Sequence, residues 1–144
     1  MKVLLIDEVV SGLEYDYFVK IAEYTFDKLD KSNNEYEISL VLTDDDTIHD
    51  LNKQYRDKDR PTDVLSFELD DDIMLGDIII SIDTAKRQAV DNDILLDREV
   101  AFLFIHGILH LMGYDHELGP EEEKEMFELQ ENILKKLIED KFVS

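Results

Sequence analysis

Hydrophobic and polar positions change period along the chain, and the elements follow from those changes. Lys2 to Ile6 is an apolar run of strand length. Ser11-Gly12-Leu13-Glu14 has the capping-box pattern, in which the serine hydroxyl and the glutamate satisfy opposite backbone donors, so a helix should open there. Phe18, Ile21, Ala22, Thr25 and Leu29 then recur at helical spacing. From Glu37 to Leu42 the period falls to two, with Ile38, Leu40 and Leu42 on one face of a half-buried strand. Thr43 should cap a helix running to about Tyr55, with Asp44, Asp45 and Asp46 in its first turn, where acids favour the positive end of the dipole.

The second half reads the same way. Val64 to Leu69 and Gly76 to Ile82 are rich in β-formers and flank Asp70-Asp71-Asp72, a triplet with the turn chemistry of a hairpin loop. Asp83 to about Val90 is a helix capped by Ser81 or Asp83. Leu95 to Met112 is apolar nearly all round, which marks a helix buried in the core, and Gly113 sits where a left-handed stop is wanted. Gly119-Pro120-Glu121-Glu122-Glu123 starts a last helix, with Met126, Leu129, Ile133 and Leu137 as its core stripe. Strand, helix, strand, helix, two strands and three helices make an α+β fold: a small mixed four-stranded sheet packed with about five helices, the Leu95–Met112 helix central.

A length of 144 residues fits one domain over residues 1–144. A domain of that size can bury about two-thirds of its unfolded surface and needs no metal to fold. There is no cysteine, so any transition metal must be held by imidazole, carboxylate or carbonyl groups. The apolar run at the amino terminus is too short for a signal peptide, and Val100 to Met112 is too short to span a bilayer. A soluble, cytoplasmic protein without a membrane partner is expected.

Net charge is −21, from 36 acidic and 15 basic residues. Taken alone this opposes a nucleic-acid partner, and the bulk of it reads as a solvated acidic surface. One basic cluster stands out locally: Lys53, Arg56, Lys58 and Arg60, interleaved with Asp57 and Asp59. The acidic triplets read as a helix start and a loop tip rather than as metal clusters.

The sharpest chemical pattern is His106-Gly107-Ile108-Leu109-His110-Leu111-Met112-Gly113-Tyr114-Asp115-His116. Helical residues four apart lie about 5–6 Å apart on one face, so His106 and His110 can reach one ion. Gly113 can reverse the chain to bring His116 back as a third ligand. A lone histidine on such a helix is usually a core residue bonded to backbone. Two on one face of a dry helix each need a partner, and a metal satisfies both. Three imidazoles leave a fourth position for water, as in catalytic zinc sites. Zinc is the first choice; nickel or another imidazole-binding divalent metal is compatible. The offsets are those of the metzincin pattern HExxHxxGxxH, but Gly107 replaces the glutamate that serves as general base. A zinc peptidase is therefore disfavoured, and the glycine leaves room for close approach of another helix or a substrate.

With HGxLHLxGYDH matched from His106 to His116, the sequence resembles the YbeY family of bacterial metal-dependent endoribonucleases. Arg56, the block Pro61-Thr62-Asp63-Val64-Leu65-Ser66-Phe67, and Gly76-Asp77-Ile78 extend the resemblance. It implies a zinc-dependent, single-strand-specific endoribonuclease acting in 16S rRNA 3′-end maturation and ribosome quality control, with ribosomal RNA and the ribosome as partners. It also implies zinc ligands His106, His110 and His116, with His110 and Arg56 as the residues on which catalysis depends. A guanidinium suits a phosphate because it offers a two-toothed fork and stabilises developing charge. The plainer reading of Arg56 is a helix-end arginine neutralising Asp59 or the dipole.

Lys53, Lys58 and Arg60 are candidates for backbone-phosphate contacts. Asp115 could orient a ligand imidazole or serve only as a turn aspartate. Thr62 and Ser66 could line the cleft or play strand and turn roles, and His49 reads as a surface histidine. The alternative function is a non-catalytic ribosome-assembly factor with a structural metal.

Overall fold

In the computed structural model, which describes residues 1–31, 35–115 and 117–144, the elements run in the expected order. They are β1 (Lys2–Asp7), α1 (Tyr15–Lys28), β2 (Glu37–Thr43), α2 (Asp45–Arg56), β3 (Val64–Glu68), β4 (Met74–Ser81), α3 (Ile82–Asp91), α4 (Leu96–Leu111) and α5 (Pro120–Glu139). The four strands form one mixed sheet in the order β1-β2-β4-β3. β1, β2 and β4 are parallel, and β3 runs antiparallel to β4 along one edge. The β3–β4 hairpin closes over Asp71, whose Oδ1 accepts the amides of Ile73 and Met74 at 2.7 and 2.9 Å.

Strand alternation divides the sheet into two unequal faces. Val3, Ile38, Leu40, Leu42, Ile78 and Ile80 point into the main core, shared with α1, α3, α4 and α5. Val41, Leu65, Phe67 and Ile79 point the other way, onto Ile48 and Leu51 of α2. α4 packs on α1, α3, α5, β3 and β4 and is the central helix. Phe104 of α4 meets Phe18 of α1 edge-to-face, with ring centroids 5.4 Å apart, a favoured aromatic geometry.

Several ends differ from the sequence reading. Ser11 does not box α1; its Oγ donates to Asp7 Oδ2 at 2.7 Å and accepts the Leu13 amide, while Glu14 is the N-cap residue and makes no side-chain cap bond. Thr43 is the buried last residue of β2, and Asp44 caps α2 by accepting the Thr47 amide at 2.9 Å. Asp45 does more than meet the dipole: its carboxylate accepts Ser81 Oγ and Thr84 Oγ1, each at 2.6 Å, and pairs with Arg87 at 2.9 Å. It thereby ties α2 to α3. In α5, Gln130 takes a core position beside Met126, Ile133 and Leu137, while Leu129 is only half-buried.

Candidate functional site

From Glu99 to Leu111, α4 is buried at every residue except Phe102, His106 and His110, which are four apart. That strip is the face the helix turns away from the core. His106 and His110 line a cleft of about 460 Å3, and their ring centroids stand 4.8 Å apart. They are not core histidines. Gly113, with φ +97°, ends the helix by turning the chain, as its type allows.

Two imidazoles so close on one wall are a suitable donor pair for zinc or a similar ion. His116, the third expected ligand, lies outside the described residues. Among the described residues no group of three or more His, Cys, Asp or Glu could hold a metal ion.

Gln130 orients the first imidazole. Its Nε2 donates to the Phe102 carbonyl at 3.0 Å, which fixes which end of the amide is which. Its Oε1 then lies 3.3 Å from His106 Nδ1 and can only accept, so Nδ1 carries the proton. In the neutral imidazole Nε2 of His106 is then the nitrogen with a lone pair for a metal, the arrangement in which outer partners set ligand tautomers. Sequence reading left Asp115 open between orienting a ligand imidazole and serving as a turn aspartate. The Asp115 carboxylate accepts the Glu117 amide at 2.8 Å, as a turn aspartate at the cleft wall does. The available signal was a polar residue on an otherwise apolar stripe of α5.

The opposite wall comes from the end of α2, the loop after it and the edge strand β3. Asp57 stops α2 in the left-handed conformation, at φ 56°. Asn52, 2% exposed, organises the loop beyond that stop: its carbonyl accepts the Lys58 amide at 3.2 Å and its Nδ2 donates to the Arg60 carbonyl at 2.9 Å. Lys58 and Arg60 are thereby held at the cleft, with Arg56. Lys53 is exposed and does not line it. His49 is not a bare surface histidine; its Nε2 lies 2.7 Å from Asp59 Oδ1. The hydrogen bond from His49 and the charge of Lys53 hold the Asp59 carboxyl below its ordinary value.

Arg56 neither pairs with Asp59 nor points freely into solvent. Its Nη2 donates to the Ser66 carbonyl at 2.6 Å, and its guanidinium lies 5.4 Å from the Phe67 ring centroid. Ser66 accepts one of the five N–H donors of the fork. The group is therefore parked on β3, at the rim facing the histidines.

The charged cleft residues are Arg56, Lys58 and Arg60 against Asp63, Asp115 and Glu117, formally 3 − 3 = 0. In a chain of net charge −21 this is a locally neutral place, and a divalent ion would make it positive. Behind it, burial and then the charge of Asp63 push the Glu99 carboxyl above its ordinary value.

Gly107 faces away from the cleft, onto the sheet. A Cβ there would lie 2.8 Å from Ile78 Cγ2. The glycine allows close approach of β4, not of another helix or a substrate, and a glutamate side chain has no room there.

Known proteins are similar to this chain in sequence and in the arrangement of elements. The family model for endoribonuclease YbeY matches residues 10–138. The endoribonuclease YbeY of Sulfurihydrogenibium sp. is 46% identical over 142 residues, covering 94% of this chain and 92% of that protein. That of Aquifex aeolicus is 52% identical over 108 residues, covering 72% of each. Among solved structures, the solution structure of a Thermotoga maritima protein superposes with a TM-score of 0.69 at 31% identity, covering 97% of this chain and 91% of the other.

Proposed function

The chain belongs to the endoribonuclease YbeY family, and from that premise we propose that it is a zinc-dependent endoribonuclease cutting single-stranded ribosomal RNA. Its place is the cytoplasm, in 16S rRNA 3′-end maturation and ribosome quality control, with the ribosome as partner. The observation that carries the reading is convergence: His106 and His110 from α4 and Arg56 from the end of α2 meet across one cleft. At about 460 Å3 that cleft has room for a few groups of an RNA strand at a time.

His106 and His110 would hold the ion, with His116 as the third ligand. When bound, such an ion lowers the pKa of water and polarises a phosphoryl oxygen. Gln130 keeps His106 in the tautomer this requires. Arg56, preset by Ser66 and Phe67, receives a phosphate oxygen and stabilises the charge that builds on it in the transition state. Lys58 and Arg60 contact flanking phosphates and contribute affinity without sequence preference.

A peptidase would lay its substrate along the free edge of β3. Asp63 Oδ1 accepts the Val64 amide at 2.8 Å and Arg56 caps the Ser66 carbonyl, so that edge is blunted. The deciding experiment is cleavage of single-stranded RNA by the purified chain, with and without a chelator, together with elemental analysis. His110→Ala should stay folded and bind RNA but not cut it. Equal cleavage by the variant and the wild type would reject a histidine-held catalytic ion, and no cleavage by either would leave the assembly-factor role.

A further inference from the structure

Ser66 sits where the edge of the sheet, Arg56 and the histidine wall come together. In an antiparallel pair, residues bonded across the ladder alternate with residues whose amides face outward. The Ser81 amide donates to the Asp63 carbonyl at 2.9 Å and the Leu69 amide to the Leu75 carbonyl at 3.0 Å. Residues 63, 65, 67 and 69 therefore face β4, and Val64, Ser66 and Glu68 turn their peptide groups outward. The Arg56 bond to the Ser66 carbonyl agrees with that parity. Of the two outward amides beside the cleft, that of Val64 is taken by Asp63. The Ser66 N–H has no acceptor among the described residues.

The side chain obeys a second alternation. Leu65 and Phe67 face α2, so Ser66 faces the other way, toward α4, and lines the cleft with His106 and His110. Its hydroxyl too has no partner among the described residues. Ser66 thus offers two neutral donors one peptide plane from a guanidinium. Asp63, the nearest carboxylate along the strand, does not compete for them, because it accepts from Val64, Thr62 and Gln88.

We infer that Ser66 is a substrate-contacting residue whose amide N–H and hydroxyl receive a non-bridging oxygen of the RNA phosphodiester, beside the Arg56 guanidinium held on its carbonyl. The inference rests on the RNA reading for its ligand and on the strand geometry for its site. It also gives the Arg56–Ser66 bond a purpose: the same residue positions the cation through its carbonyl and supplies the adjacent donor through its N–H.

Amide NMR of the full-length wild type, titrated with inorganic phosphate, tests the backbone contact without any mutation. The Ser66 amide proton should move downfield saturably, and the shift should shrink in Arg56→Ala. In parallel, Ser66→Ala should lower kcat/KM for single-stranded RNA by roughly tenfold, the value of one hydrogen bond to a charged acceptor. Ser66→Thr, which keeps both donors, should restore most of it.

RNA cleavage by the wild type with a silent Ser66 amide and an unimpaired Ser66→Ala variant would overturn the inference and leave the RNA reading standing. A responsive amide in a chain that cuts no RNA would support the anion site and reject that reading. A silent amide in such a chain would reject both.

Discussion

A methyl group at Gly107 would lie 2.8 Å from Cγ2 and 3.0 Å from Cδ1 of Ile78, a residue with no solvent exposure. Both distances are inside normal contact, and a buried β-branched side chain has few other rotamers to adopt. Gly107→Ala should therefore destabilise the fold by about 1–3 kcal/mol in urea unfolding, although alanine favours helices over glycine by about 1 kcal/mol. Ile78→Val, which removes Cδ1, should recover part of that loss in the double variant; strict additivity would show that the contact is not the cause. Gln130 acts through polarity instead. Gln130→Leu suits the apolar stripe but removes the acceptor on His106 Nδ1. Zinc affinity, measured against a competing chelator, should fall by roughly 10–100-fold. Unchanged affinity would mean that the amide does not set the tautomer.

At the scale of elements, the order of strands and helices was legible because each stripe is local: Ile38, Leu40 and Leu42 alternate, and α4 is apolar nearly all round. Half the site was legible for the same reason, since His106 and His110 share one helix. The other half is not local. Whether Asn52 meets Arg60, or Gln130 meets His106, depends on how α2 and α5 settle on their neighbours, and no periodicity records that. The caps slipped where two good candidates adjoin, as with Thr43 beside Asp44.

Asn52 shows how much such an unread residue can hold. Asn52→Ala should cost about 1–3 kcal/mol, because the Arg60 carbonyl loses its donor. It should also raise KM for RNA more than it lowers kcat, by loosening the loop that carries Lys58 and Arg60. Glu99 gives a pH test within α4. Its folded pKa lies above the ordinary 4.5, so the stability it contributes is present below that value and is lost as pH rises through the folded pKa. Glu99→Gln should therefore be more stable than the wild type at pH 7, with the gap closing as pH falls toward 4. A gap independent of pH would show that charge is not its origin.

For the whole molecule, the question is how a chain of net charge −21 takes up RNA, and the neutral cleft gives a quantitative answer. A chain this long has a radius of gyration of about 14 Å. At 0.01 M salt the screening length is about 30 Å, so an approaching strand meets the repulsion of the entire surface. Near 0.15 M it is about 8 Å, and the strand feels mainly the cleft that it touches. Added salt therefore helps association at first. Above that range the contacts themselves weaken: three cations on a single strand give a slope of log affinity against log salt near −2. Binding of single-stranded RNA should accordingly pass through a maximum with salt and then fall along that shallow slope, measured at fixed pH with a cleavage-resistant strand. Affinity that falls steeply from the lowest salt upward would require a larger basic surface than Arg56, Lys58 and Arg60 supply, and would place the RNA elsewhere on the molecule.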